Sequence, residues 1–276
     1  MIKCELMRIF KSTKGRLIIL LMFLLPLIDF IQHIYNDIIL FGSFDPENHP
    51  AFTSFLSGST MGHFTQILLS FILPLYFLLL YADSYTTDRN SGYLKCLIMR
   101  VGKKEYYKTK FKIAAIVPSV IMFFSLLLNF LLCIIFFHSG SSFGGMEEYY
   151  HDMNKWFIFG YNHPYIYYFI YIITYCFVCG LCSVLGLCFS IIFRNHYIAY
   201  PVSFFVWIIQ AIFPYGVGNS IQPFTEYGFN HYLSGLIIFS ATVLMVFIVT
   251  YFMGLRNKDD CLLYTSDAAD DLIGVD

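Results

Sequence analysis

Six long runs of apolar residues dominate the chain and restrict most strongly what it can fold into. A helix needs about 20 mostly apolar residues to cross the hydrocarbon core of a bilayer. The runs cover residues 17–35, 64–82, 113–137, 166–193, 197–213 and 233–255. Only 13% of the 276 residues are charged, which is too few to cover the surface of a soluble domain. The sequence therefore predicts an all-α integral membrane protein with six transmembrane helices.

The distribution of basic residues predicts how these spans are oriented. Of the 17 Lys and Arg residues, all but Lys155 fall before the first span, between spans two and three, between spans four and five, or after span six. Basic residues are retained on the cytoplasmic side, so both termini are expected to be cytoplasmic. The net charge of −1 gives no excess of positive charge that would indicate a nucleic-acid partner.

The composition changes abruptly near Cys261, where an acidic string unlike the preceding sequence begins. We assign residues 1–258 to one transmembrane domain and expect 259–276 to be a non-native or disordered tail. The string resembles the spurious ends that adapter read-through leaves in assembled sequence data. An ordinary disordered acidic tail is the alternative.

The first 16 residues are predicted to form an amphipathic helix. Ile2, Leu6, Ile9 and Phe10 recur at helical spacing, and most of the basic residues of this segment lie towards the opposite face. Such a helix would lie in the inner membrane interface. The alternative is a plain basic flank that only orients the first span.

A short helix is also predicted in the loop between spans two and three. Its apolar positions follow the i, i+3, i+4, i+7 spacing of one helical face; they are Leu94, Leu97, Ile98 and Val101. Asn90 or Ser91 is expected to cap its start and Gly102 to end it. A helix of about three turns is marginal alone, so its apolar stripe must be buried against lipid or a cytoplasmic partner.

The residues around this helix resemble those of a known family. The pattern is an acidic residue four before a glycine, then Gly-x-Leu-Lys, a short apolar run, and Tyr-x-x-x-Lys leading into span three. The matching residues are Asp88, Gly92, Leu94, Lys95, Tyr106 and Lys110. With the six spans, this resembles the permease subunits of type-two ATP-binding cassette (ABC) exporters over about 1–258. The family usually has Glu at the position of Asp88 and Thr or Ser at that of Tyr93.

The resemblance implies a permease of the bacterial plasma membrane that catalyses no reaction and binds no cofactor. It would form a homodimer or a heterodimer, and each copy would bind a separate ATPase that holds ATP and Mg. The loop helix would be the coupling helix that contacts this ATPase; its residues are Asp88, Gly92, Leu94, Leu97, Ile98 and Val101. The chain itself has no G-x-x-x-x-G-K-[ST] phosphate loop, in agreement with a separate ATP-binding partner.

Polar residues within the spans suggest where a substrate would pass. Asp29 is expected in the outer half of span one, with three amide side chains at similar depth: Gln66, Asn129 and Gln210. Together they could line an outward-opening polar cavity. The alternative is that they reach the outer boundary or form hydrogen bonds between helices.

Two other functional classes compete with transport. One is an intramembrane enzyme that uses Asp29 and the outer-side histidines His33, His49, His63, His138, His151, His163 and His231. The other is a membrane scaffold or sensor. The Cys-x-x-Cys-x-x-Cys pattern of Cys176, Cys179 and Cys182 could suggest a soft-metal or redox site, but its interleaving with Gly and Ser is typical of close helix packing.

Overall fold

A computed structural model describes residues 1–41, 47–57, 64–144, 154–225 and 227–256. Within these ranges the regular structure is helical, apart from one isolated bridge between Asn48 and Ser142. The helices are α1 (Ile2–Lys11), α2 (Thr13–Phe41), α3 (Pro50–Thr53), α4 (Phe64–Phe71), α5 (Leu73–Phe77) with a π-helical turn (Leu78–Ala82), α6 (Ser84–Asn90), α7 (Tyr93–Val101), α8 (Lys103–Phe136), α9 (Lys155–Asn162), α10 (Pro164–Phe193), α11 (His196–Ile212), α12 (Gly218–Ile221) and α13 (Phe229–Arg256). The predicted tail 259–276 lies outside the described residues.

Four of the described helices are long and apolar enough to cross a membrane, namely α2, α8, α10 and α13. They correspond to predicted spans one, three, four and six. Predicted span two is divided into α4 and the segment Leu73–Ala82, which meet at an angle of 62° and give a fifth crossing if they are counted together. Predicted span five is α11, which has 17 residues and would reach about 25 Å. The apolar helices indicate a multi-pass membrane protein, while the six-span layout remains a prediction.

Both ends of the described chain lie at the same end of the helix bundle. Glu5 in α1 contacts Lys110 near the start of α8, and Gly254 near the end of α13 packs against the ring of Tyr107 in α8. An even number of crossings would produce this arrangement. The assignment of that end to the cytoplasm remains a prediction from the basic residues.

Two of the prolines inside the spans, Pro26 and Pro74, leave a backbone carbonyl without its helical partner, and another helix supplies a donor. Pro26 cannot bond the carbonyl of Met22, and the buried hydroxyl of Ser125 in α8 donates to that oxygen at 2.7 Å. Pro74 likewise frees the carbonyl of Ser70, to which Nε1 of Trp207 donates at 2.9 Å. In lipid each such carbonyl must find a donor within the protein.

We expect Ser125→Ala to lower the free energy of unfolding by about 1 kcal/mol, because the Met22 carbonyl then loses its donor. The measurement is unfolding of the purified protein in mixed micelles. Thr242→Ala is the matched control, since Thr242 Oγ1 bonds the carbonyl of Ile238 within its own helix and that carbonyl has no proline opposite it. Equal effects of the two substitutions would contradict this explanation.

Helix α10, the most deeply buried of the four long apolar helices, packs against most of the others, with α8 as its main neighbour. The two helices approach closely at Gly180, where an added Cβ would lie 2.5 Å from Ser119 Oγ and 2.7 Å from the Ala115 carbonyl oxygen. Cys176, Cys179 and Cys182 are buried at this packed helix. Among the described residues no group of His, Cys, Asp and Glu is arranged to hold a metal ion.

Candidate functional site

A cluster of four charged side chains joins three separate segments at the end of the bundle that holds both described chain ends. Glu5 and Arg8 come from α1, Asp88 from α6 and Lys110 from α8. Two are acidic and two are basic, so their formal charges balance. Glu5, Asp88 and Lys110 are buried, and Lys110 is 0% exposed.

Asp88 is the central acceptor of this cluster. Its Oδ2 lies 2.7 Å from Nζ of Lys110 and accepts a hydrogen bond of 2.9 Å from the hydroxyl of Tyr106. Its Oδ1 accepts from the guanidinium of Arg8. Asp88, Tyr106 and Lys110 all belong to the sequence pattern that carries the family resemblance, and the structure brings them into direct contact.

Lys110 connects Asp88 to the N-terminal helix. Its Nζ donates to Oε2 of Glu5 at 3.1 Å and to Oγ of Ser84 at 3.0 Å. The same ammonium lies 5.1 Å from the centre of the Tyr81 ring and 5.5 Å from that of Tyr106, within the range of cation–π attraction. These contacts replace the water that a buried ammonium gives up.

The electrostatic balance of the cluster is visible at Arg8, its most exposed member. Burial lowers the pKa of Arg8, but the carboxylates of Asp88 and Glu5 raise it by more, so the net shift is upward. Removing one partner from such a cluster costs much more than the cluster contributes, because the charge that remains has no water. The cluster therefore fixes the relative positions of α1, α6 and α8.

The loop helix α7 begins and ends at glycines that adopt conformations unfavourable for other residues. Gly92 is its N-cap with φ of 72°, and Gly102 is its C-cap with φ of 85°, both in the region that glycine enters without steric cost. The prediction that Gly102 ends the helix is confirmed. The prediction that Asn90 or Ser91 caps its start is wrong, because both belong to the end of the preceding short helix and its turn.

The apolar stripe of α7 packs mainly against the chain itself. Leu94 is 2% and Ile98 8% exposed, and both belong to the main core. Leu97 is half-buried at the edge of that core, whereas Val101 at the end of the helix is exposed. The stripe is thus chiefly an intramolecular anchor, which the sequence pattern could not distinguish from a partner contact.

The opposite face of α7 is open. Met99 is 72% exposed, and Tyr93 is about half exposed. Lys95, Cys96 and Arg100 are exposed on the same arc of the helix. This face combines large apolar side chains with basic ones and has no intramolecular cover among the described residues.

Further contacts hold the segment before α7 to the rest of the bundle. The hydroxyl of Tyr200 in α11 donates to Oδ2 of Asp83 at 3.0 Å. Thr86 Oγ1 lies 2.7 Å from Ser190 Oγ near the end of α10. The segment that leads into α7 is therefore held by four helices, α1, α8, α10 and α11.

At the other end of the bundle, Asp29 is buried between α2 and α4. Its Oδ1 accepts from Thr65 Oγ1 at 2.9 Å. Nε2 of His33 lies 3.4 Å from Oδ2, which forms an ion pair only when the imidazole is protonated. Two other outer-side histidines proposed for an enzyme, His63 and His151, lie outside the described residues.

Two other predicted pathway residues, Asn129 and Gln66, form hydrogen bonds with backbone groups. Asn129 donates to the Pro26 carbonyl at 2.8 Å and accepts from the Phe55 amide at 3.1 Å. Gln66 donates to the Leu56 carbonyl at 2.8 Å. Both amides therefore hold the segment 50–57 in place.

Gln66 also lines the edge of a cavity of about 370 Å³, together with Ser70, Trp207 and Gln222. Gln210 lies on α11, and its buried Oε1 has no hydrogen-bond partner among the described residues. A pathway role for Asp29, Gln66, Asn129 and Gln210 remains a prediction.

The sequence did not indicate that two residues of α1, Arg8 and Glu5, join the cluster around Asp88. The helical pattern alone places Arg8 on the basic face and gives Glu5 no role, although Glu5 lies one helical turn before Ile9, which is also buried. An acidic residue on the apolar side of an amphipathic helix was the available signal. Ile2 and Phe10, by contrast, are exposed.

Comparison with known proteins identifies a bacterial relative of this chain. No protein-family model matches it, and no solved structure matches it significantly. It is 37% identical over 222 residues to the uncharacterized protein YybM of Bacillus subtilis (strain 168), an alignment that covers 80% of this chain and 86% of the relative. The chain therefore belongs to the same protein family as Bacillus subtilis YybM.

Proposed function

We propose that this chain is the membrane-spanning permease subunit of an ABC exporter in the bacterial plasma membrane. It would act as a homodimer or heterodimer, with ATP and Mg bound by separate ATPase subunits. The chain itself would make and break no bonds. The observation that carries this proposal is the packing of α7. One face of this short helix is buried against the bundle, and the opposite face is exposed.

The open face of α7 is the proposed contact with the ATPase. We assign the direct contact to the exposed residues Tyr93, Cys96, Met99 and Arg100, while Val101 of the apolar stripe is exposed at the end of the helix beside them. In this proposal Leu94 and Ile98 hold the helix to the bundle instead of contacting the ATPase directly. Apolar and Arg side chains together are typical of the energetically important centre of an interface.

The ionic cluster gives a physical route for force from this helix into the spans. Asp88 lies four residues before Gly92, and its partners belong to α1 and α8. Helix α1 leads directly into α2, and α8 is itself an apolar span. A displacement of α7 would therefore move spans one and three together.

Nucleotide binding can drive such a movement only through a difference in affinity. The ATPase pair must bind one conformation of the permease more tightly than the other, and the free energy of that difference is what shifts the spans. Firm attachment of α7 to α1 and α8 through the ionic cluster favours this mechanism, because a displacement of α7 is then passed to the spans with little local bending.

The test is co-purification with a phosphate-loop ATPase encoded beside this chain. We expect Met99→Asp combined with Arg100→Glu to weaken binding by about 30-fold or more, as for loss of a central interface contact. Glu105→Lys is the matched control, because Glu105 is exposed on α8 beside Lys108. Equal binding of the ATPase to the wild type and the double variant would show that the assigned face is wrong.

Two further results would contradict the proposal as a whole. One is substrate transport at full rate by the reconstituted chain without any ATPase. The other is turnover of a substrate by the isolated chain that Asp29→Ala abolishes, which would favour the intramembrane enzyme.

A further inference from the structure

A small cavity lies beside the ionic cluster, between α1, the start of α2 and the end of predicted span two. Its volume is about 210 Å³. The residues that determine its chemistry are Ser12, Lys14, Tyr81, Asp83 and Thr87, with Leu79 on the apolar side. The cavity shares no residue with the proposed ATPase contact face on α7.

The position of this cavity matches the headgroup layer of a bilayer. Helix α2 is an apolar span that begins at Thr13, and the bent apolar pair ends at Ala82. The cavity therefore lies where two spans leave the hydrocarbon at the same end of the bundle. Leu79, which is partly exposed, faces the apolar side of that boundary.

The cavity presents a positive and a negative side chain together. Lys14 is exposed, and the structure gives it no ion pair among the described residues. Arg8 also lines the cavity, but its charge is balanced by Asp88 and Glu5. Asp83 is the acidic group of the wall, and its side chain remains 20% exposed.

Asp83 is only partly compensated by its protein neighbours. Burial raises the pKa of Asp83 above its ordinary value, against the opposing effects of the Tyr200 hydroxyl and of the charges of His196, Lys14 and Arg8. His196 Nδ1 is 3.7 Å from the carboxylate, beyond ordinary hydrogen-bond distance. A cation with N–H donors would therefore stabilise the ionised carboxylate.

We propose that this cavity binds the headgroup of a phospholipid that carries a primary ammonium, of the phosphoethanolamine type. The ammonium would be held by Asp83 and the phosphate by Lys14, with the acyl chains beside Leu79. The pairing of opposite charges selects a zwitterionic headgroup: an anionic one lacks a cation for Asp83, and a choline has no N–H to donate. The site would tie α1 to the membrane surface beside the ionic cluster.

The experiment is native mass spectrometry of the full chain in detergent, with added phosphatidylethanolamine, phosphatidylcholine or phosphatidylglycerol of identical acyl chains. We expect phosphatidylethanolamine to bind most tightly. Lys14→Ala should weaken its binding about tenfold, the effect of one charge-assisted hydrogen bond. Asp83→Asn should abolish the preference over phosphatidylcholine.

Lys108→Ala is the matched control, because Lys108 is an exposed lysine outside the cavity and its loss should leave binding unchanged. Equal binding of the three lipids, tightest binding of phosphatidylglycerol, or full phosphatidylethanolamine binding by Lys14→Ala would each overturn the proposal. Lys14 is exposed, so its variant is expected to fold even if Asp83→Asn does not. ATPase binding does not enter these measurements, so they are independent of the proposed function.

Discussion

Replacing Asp88 by Ala is expected to lower the free energy of unfolding by about 3–5 kcal/mol. The substitution leaves Lys110 and Arg8 with only Glu5 as a counter-charge, and Lys110 is 0% exposed. It also removes the acceptor of the Tyr106 hydroxyl. The measurement is unfolding of the purified protein in mixed micelles, followed by far-ultraviolet circular dichroism.

Two variants separate the buried cluster from a general effect of removing an acid. Asp88→Glu keeps the charge and is the residue usual in the family that the sequence resembles, so it should retain most of the stability. Glu105→Ala removes an exposed acid 3.4 Å from Lys108 and should cost less than about 1 kcal/mol. A loss of under 1 kcal/mol for Asp88→Ala would show that the cluster does not hold these segments together.

The second large effect is expected at Gly180, where α10 and α8 approach closely. Gly180→Val should destabilise the protein by about 3 kcal/mol. A side chain there meets the Ala115 carbonyl oxygen at 2.7 Å, and a backbone atom cannot move aside without separating the helices. The same unfolding measurement gives the cost.

Gly228→Ala is the matched glycine control, because its added Cβ would meet nothing closer than 3.8 Å. It should leave the free energy of unfolding almost unchanged. If Gly180→Val were equally harmless, the close approach of α10 and α8 would not be required for stability, and the packing interpretation of the Cys, Gly and Ser pattern would lose its support.

Helix α7 shows how far a local sequence pattern predicts structure. The spacing of Leu94 and Ile98 predicted a helix that ends at Gly102, and this is confirmed. The same spacing could not say what the apolar stripe contacts, because burial depends on the surrounding helices. The cap was misassigned because Asn90 and Ser91 are good N-cap residues that a preceding helix already uses.

The break in predicted span two could not be predicted from the sequence either. Pro74 was visible in the sequence, and membrane helices tolerate proline. Whether proline merely bends a helix or breaks it depends on what satisfies the freed carbonyl. Here Trp207, far along the chain, provides that donor.

The sequence by itself determined the class of protein, the apolar helices and the short helix of the loop, because hydropathy and helical periodicity are properties of neighbouring residues. Only the tertiary structure decided that Arg8 and Glu5 meet Asp88 and Lys110, across separations of 80 and 105 residues. Charged side chains on separate helices carry no periodic signal that names their partners. They are brought together by the packing of the bundle, and burial then makes that pairing obligatory.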